Sequence, residues 1–452
     1  MNRPFYLREL RAYPVGGRRV WLLIVALMAN IIANYESQMS SVVPLLLSDL
    51  HMTLKTYGLI VAVSTIAGAF SAYIAGRLSD RRGRVYTLVP SLFLSSLCVY
   101  AMVLVHSPMG LLLNRVILSL VEGSAVIATA GLVRDFSPRL GRAVAYAFWT
   151  FGPVGSSFVA AGLAGWTLPI WGTWQSQFWL NGTISLVLSF IVLFSISDIS
   201  PQLRAEVMHS TARLVAVNGH RKPEQTHAGD PGRTRELLRA PHIWAHLLGI
   251  TFWLSAYYTL TIFGSTMITQ EFGYSAATAA SIMKYFWLLN LVVMIAACYI
   301  SDKLQLRKIV SFVGAVTTAA TLIYFINMMG THPSVGKIEL TGAILGACMG
   351  IAYAPWMALF SENLEDIKAS LQATGWGVFG LSVRVMVAIL SVVAPIVVAA
   401  LMGWTLWFWI VTVGEMLFIP SIFAMKGPWF VRPKLDSRLS VETPLEQQAF
   451  VE

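Results

Sequence analysis

Apolar residues run in twelve blocks of about 20 residues, each long enough to cross the hydrocarbon core of a bilayer, with short polar stretches between them. The blocks fall near 20–45, 57–76, 85–106, 110–133, 143–166 and 178–197, then near 243–269, 277–300, 309–330, 339–361, 370–401 and 404–425. In lipid a backbone must satisfy its own hydrogen bonds, so each block is expected to be a helix. The pattern predicts an all-α membrane protein of twelve transmembrane helices in two six-helix bundles, at 20–197 and 243–425. An N-terminal segment (1–19), a linker (198–242) and a tail (426–452) complete the chain. Block 370–401 is long enough to tilt or to kink at Pro395.

Composition changes this picture little: 56% of residues are hydrophobic and only 12% charged, about half the charge of a soluble domain. The net charge of +10 would suit a phosphate-binding surface, but its placement speaks against nucleic acid. Of the 32 Lys and Arg, 27 lie in the termini, the linker and the loops of one face, whereas the opposite loops hold only Lys55 and Lys337. The positive-inside rule then puts both termini and the linker in the cytoplasm of a multi-pass inner (plasma) membrane protein. Arg3, Arg8, Arg11, Arg18 and Arg19 followed by an apolar run look like a signal peptide, but the run continues past Val43 and reads as an uncleaved first span. Cys98, Cys298 and Cys348 all lie inside apolar blocks and imply no disulfide framework. The linker, with His209, His220 and His227, has the composition of a solvated connection, and no metal or other cofactor is expected.

Between the second and third blocks stands Gly76-Arg77-Leu78-Ser79-Asp80-Arg81-Arg82-Gly83-Arg84. Gly76 permits close helix approach, Gly83 a tight turn, and Asp80 can accept from the positive ends of neighbouring helices, while the arginines are expected to stay with the cytosol. A degraded copy, Ser301-Asp302-Lys303-Leu304-Gln305-Leu306-Arg307-Lys308, follows 222 residues later at the same place in the second half. Such a copy is what two related halves leave in sequence. The loop resembles the signature of the major facilitator superfamily, and the resemblance extends over about residues 20–425. It implies a gating role for Gly76, Asp80, Arg81, Gly83, Arg84 and Asp302.

The fourth block carries Arg115 and Glu122, which seven positions of helix bring to within about 20° of one face, with Ser119 and Thr129 beside them. Each charge costs roughly 2.5 to 3.5 kcal/mol at the bilayer centre, so both should face a watery cavity or, as the alternative, a structural ion pair. Arg115-x6-Glu122-Gly123 is similar to the fourth helix of the anion:cation symporter branch of that superfamily. Its helix 1 pattern, Asn-Tyr-x-Asp-Arg, is met here by Asn34-Tyr35-Glu36-Ser37-Gln38, which matches the first two positions and departs at Ser37 and Gln38. Asn30, Asn34, Ser37, Gln38 and Ser41 form a polar arc, from whose centre Glu36 points about 140° away. Lys284 and Arg384 are the cations of blocks 8 and 11, and Gly377, Gly380, Ala388 and Ser391 on the face of Arg384 leave room for a ligand. Thr251, Tyr258, Thr261 and Ser265 make a hydrogen-bonding stripe on block 7. Glu415 is read as structural, and Glu362, Glu365 and Asp366 as a latch near Lys368.

These residues suggest a secondary transporter, not an enzyme: there is no nucleotide-binding glycine loop, and no nucleophile stands at a recognisable spacing from a base. The excess of cations favours proton-coupled uptake of a small organic anion, a carboxylate or sugar acid, by alternating access. Arg115, Arg384, Lys284, Tyr258, Asn34 and Gln38 would bind it, and Glu122 or Glu36 would carry the proton. Protons, the solute and the lipid bilayer are the expected partners of a monomer. The alternative is a proton-coupled drug or metabolite exporter, suggested by Gly152-Pro153-Val154-Gly155-Ser156-Ser157, which is similar to an antiporter motif but has serines at its end.

Overall fold

A computed structural model describes residues 6–34, 39–136, 142–200, 202–203, 234–367, 371–401 and 403–430. Its helices are α1 (Gly16–Ile32), α2 (Val43–Asp49), α3 (Leu54–Arg82), α4 (Arg84–Ala101), α5 (Pro108–Phe136), α6 (Arg142–Trp171) and α7 (Trp174–Ser195). After the linker come α8 (Thr234–Leu238), α9 (Pro241–Phe272), α10 (Ala276–Leu304), α11 (Arg307–Ile326), α12 (Val335–Ile367), α13 (Gln372–Leu401), α14 (Thr405–Met416) and α15 (Phe418–Ala424). Among the described residues, eleven helical stretches are long and apolar enough to cross a membrane.

The first apolar block is the one that departs from expectation. Instead of one span over 20–45 it forms α1, which ends at Ile32, and α2, which begins at Val43 with Pro44 in its first turn. Pro suits the first turn of a helix because its missing N–H would have no partner there. By contrast α13 runs through Pro395 without interruption, so the expected break there is not seen.

The 222-residue repeat seen in the signature loop is written into the helices around it. Thr53 caps α3 by accepting from Thr56 N at 3.1 Å, and Ser275, 222 residues on, caps α10 by accepting from Thr278 N at 3.2 Å. At their other ends α3 and α10 stop at Gly83 (φ 97°) and Gln305 (φ 57°), again 222 residues apart, each donating its N–H back to Ser79 O or Ser301 O. A positive φ is free for glycine and costly for glutamine, whose side chain answers by donating to Asp302 O at 2.5 Å.

Packing repeats too. α3 lies along α5 and α10 along α12. A Cβ on Gly123 would collide with Gly68 O, and one on Gly350 would stand 2.6 Å from Asn290 O, so glycine lets each pair of backbones meet. Across the two halves of the chain, α3 packs on α13 and α6 on α10. These contacts are tightest at the end of the bundle away from the linker. There a Cβ on Gly58 would overlap Ser391 O, Gly165 abuts Ser281, and Tyr57 meets Phe263 edge-on with ring centroids 6.3 Å apart. Toward the linker end of the same α13 face, Cβ positions at Gly377 and Gly380 meet no atom within 4 Å.

The linker end of the first half is closed by two short strands. β1 (Glu9–Leu10) pairs in parallel with β2 (Asp198–Ile199), joining the segment before α1 to the segment after α7.

Candidate functional site

The spine of the site is the stretch of α5 from Arg115 to Gly123. Arg115 and Glu122 are 2% and 6% exposed, which puts both inside the protein rather than against lipid. Arg115 Nη1 donates to Tyr57 Oη at 3.1 Å and approaches Met39 Sδ at 3.2 Å, and its guanidinium lies 5.6 Å from the centre of the Tyr57 ring. Through Tyr57, this cation touches the aromatic contact that bridges α3 and α9.

Arg384 reaches the same spine from the second half of the chain. Its Nη1 stands 3.0 Å from where a Cβ of Gly68 would be, a point that is also 3.1 Å from Ser119 O, so the absent side chain of Gly68 makes room for the guanidinium. Ser119 is one helical turn from Arg115 and about one turn from Glu122, so Arg115, Glu122 and Arg384 converge on roughly 10 Å of α5. Ser391, which the sequence placed beside Arg384 as open space, is instead buried against Gly58.

Lys284 lies at the α6–α10 contact. Its stem passes 3.7 Å from a Cβ position at Gly162, and its ammonium sits 4.6 Å over the ring of Tyr285, an outward-facing residue. Tyr258 is half-buried and meets Tyr257 edge-on at 5.4 Å. Asn34 belongs to a polar knot around the fully buried Asn30: Asn34 Nδ2 donates to Asn30 O at 2.7 Å and to Asn30 Oδ1 at 3.0 Å. Asn30 Nδ2 in turn donates to Trp149 O at 2.6 Å, and Thr129 Oγ1 donates to Asn30 Oδ1 at 3.2 Å. The knot ties α1 to α5 and α6, and Gly152 is pressed against the Asn30 side chain, so packing accounts for that glycine of the span 5 motif. Glu36 and Gln38 lie outside the described residues, as do the side chains of Asp80 and Arg81; Gly76 is within α3.

Of the signature loop, Gly83 and Arg84 are fully placed, and Arg84 corrects the sequence reading. It does not stay with the cytosol: it is 4% exposed, and its Nε donates to Asp135 Oδ2 at 2.6 Å. Asp135 sits in the last turn of α5, and Tyr13 Oη donates to its carbonyl at 3.2 Å. The second copy of the loop is built alike, with Arg307 bonded to Asp302 Oδ1 at 2.5 Å and to Glu362 Oε1 at 3.2 Å. Glu362 therefore belongs to this joint rather than to a latch with Lys368, which lies outside the described residues.

Sequence reasoning missed Tyr57, Asp135 and Asp198. Only Asp135 carried a visible signal, as an acid at the end of a span three turns beyond Glu122. Glu415 is fully buried beside Trp253 within the second half, away from the α5 spine. Among the described residues no three His, Cys, Asp or Glu side chains gather as metal ligands.

The arrangement holds charged groups of both signs in a protein interior shared by the two halves, next to unfilled space on α13. The sequence model of the Major Facilitator Superfamily matches residues 21–391. The chain is also similar to the 4-hydroxybenzoate transporter PcaK of Pseudomonas aeruginosa, with 24% identity over 385 residues that cover 75% of this chain and 82% of that protein.

Proposed function

Because the chain belongs to the Major Facilitator Superfamily, we propose that it is a secondary active transporter that takes up a small organic anion together with protons. Two six-span bundles, 20–197 and 243–425, rock about a site near the bilayer midplane, with the linker and both termini in the cytoplasm. The observation that carries the anion reading is the placement of the Arg384 guanidinium against Gly68 and Ser119, one turn from Arg115 and beside open space at Gly377 and Gly380. Two cations that share a buried face with one carboxylate leave a net positive site, which suits a carboxylate solute. The name of the relative narrows the solute further, to an aromatic acid of the 4-hydroxybenzoate kind. Aromatic side chains at Tyr57 and Tyr258 offer faces and edges to such a ring.

Glu122 is the proposed proton carrier, with Glu36 as the next candidate. Glu122→Gln mimics a carboxyl that never releases its proton, so pH-driven accumulation of 4-hydroxybenzoate in proteoliposomes should vanish while counterflow survives. Arg384→Ala should weaken binding itself, about 10- to 150-fold, because it removes a charge-assisted partner of the carboxylate. The two variants must fail differently. Full pH-driven uptake by Glu122→Gln would move the proton site elsewhere, and unchanged affinity in Arg384→Ala would remove the anion reading.

A further inference from the structure

The joint between α3 and α4 is held by a residue that belongs to neither helix. Asp198, 114 residues further on, points its carboxylate at the first turn of α4: Oδ2 accepts from Arg84 N at 2.6 Å and from Val85 N at 3.5 Å, while Oδ1 accepts from Ile199 N at 2.9 Å. A Cβ on Gly83 would stand 2.6 Å from the same Oδ2, so the glycine that ends the signature loop serves both its positive φ and the approach of this carboxylate. An acid here also meets the positive end of the α4 dipole, where no acidic residue of α4 itself is present.

Asp198 is in turn fixed from behind. Its N–H donates to Arg8 O at 2.8 Å, Ser200 N donates to Leu10 O at 3.0 Å, and the Arg8 guanidinium reaches Phe194 O at the end of α7. One unit therefore contains the segment before α1, the first residues of the linker and the end of the signature loop. Any movement of the second half relative to the first must pull on the linker, and the linker begins at Asp198.

We infer that Asp198 is a positioning residue of the gate, which couples the start of the linker to the signature loop and holds residues 83–85 in the geometry that closes the linker end of the transporter. This rests on the gating role proposed for the loop. It assigns to the linker a part in the conformational cycle beyond tethering, and makes residues 8–10 part of the same device.

The test uses the full chain in proteoliposomes, with Cys98, Cys298 and Cys348 replaced by alanine and single reporters at Gly380→Cys for the linker end and Ser48→Cys for the opposite end. A membrane-impermeant maleimide, applied to each face, reads the ratio of the two openings. Asp198→Ala should raise linker-end over opposite-end labelling by roughly tenfold, the equilibrium change that follows loss of one charge-assisted hydrogen bond. Asp198→Asn keeps one acceptor for Arg84 N and should recover most of the ratio, a rescue that general loosening of the fold would not give. If Asp198→Ala leaves the ratio unchanged while Asp80→Asn alters it, the role of Asp198 is overturned and the gating loop stands. If neither alters it, the gating reading itself fails. Should Asp198→Ala not fold, deletion of residues 2–10 replaces it: a shifted ratio supports the coupling, and an unshifted one overturns it.

Discussion

The linker ends of the two halves solve one problem with different chemistry. Each must fix the start of its third long helix, α4 or α11, against the end of its fifth-block neighbour and the segment that follows its last span. In the first half this is done with buried charge: Arg84 and Asp135 side chains are each 5% exposed, and Asp198 caps α4. In the second half Arg307 meets a Glu362 side chain that is 50% exposed, and Leu306 gives α11 no side-chain cap. The trailing segment is held there by neutral acceptors instead: Lys308 Nζ donates to Met425 O at 2.9 Å under the ring of Trp429, and Asn363 exchanges hydrogen bonds of 3.0 and 3.1 Å with Lys426. Duplicated halves thus keep the topology of the joint while its energetics drift, since a buried pair is strongly penalised when broken and a half-exposed one is not.

That difference can be measured. Asp135→Ala strands a buried guanidinium and should cost about 3–5 kcal/mol, seen as a large loss of thermal stability in detergent. A loss below about 1 kcal/mol would mean that water reaches this joint as it reaches its counterpart. Gly83→Ala should cost about 1–3 kcal/mol through its positive φ and the approach of Asp198. In an Asp198→Ala background the steric part disappears, so a double-mutant cycle should return a smaller cost, and additivity would separate the two effects. Glu362→Gln, the formal equivalent of Asp135 in the second half, should cost about 0–1 kcal/mol, measured by the same melting assay. Equal losses for Asp135→Ala and Glu362→Gln would erase the contrast.

Much of this architecture was legible before any coordinates. The 222-residue spacing of Asp80 and Asp302 fixed where the repeat lay because loops and caps are local: Thr53 and Ser275 act on backbone three residues away. The convergence of Arg115 and Glu122 followed from helical period alone. What the sequence hid were partners brought in by tertiary packing. Nothing near Arg84 announces Asp135 51 residues on or Asp198 114 residues on, so a basic loop read as solvated is in fact dry. Tyr57 looked like a span-end aromatic until Arg115 was seen to donate to it. The interruption between α1 and α2 was invisible because apolar residues continue on both sides of it.

The pairing of β1 with β2 has a practical corollary. Because the first half finishes its own closure by residue 200 and the second half resumes at Thr234, every hydrogen bond named above stays within or between those two pieces without needing the peptide that joins them. A gene bisected between codons 204 and 233 should therefore yield two polypeptides that reassemble in one membrane when co-expressed, and the reunited pair would show how far the covalent connection, as distinct from Asp198 itself, matters to turnover.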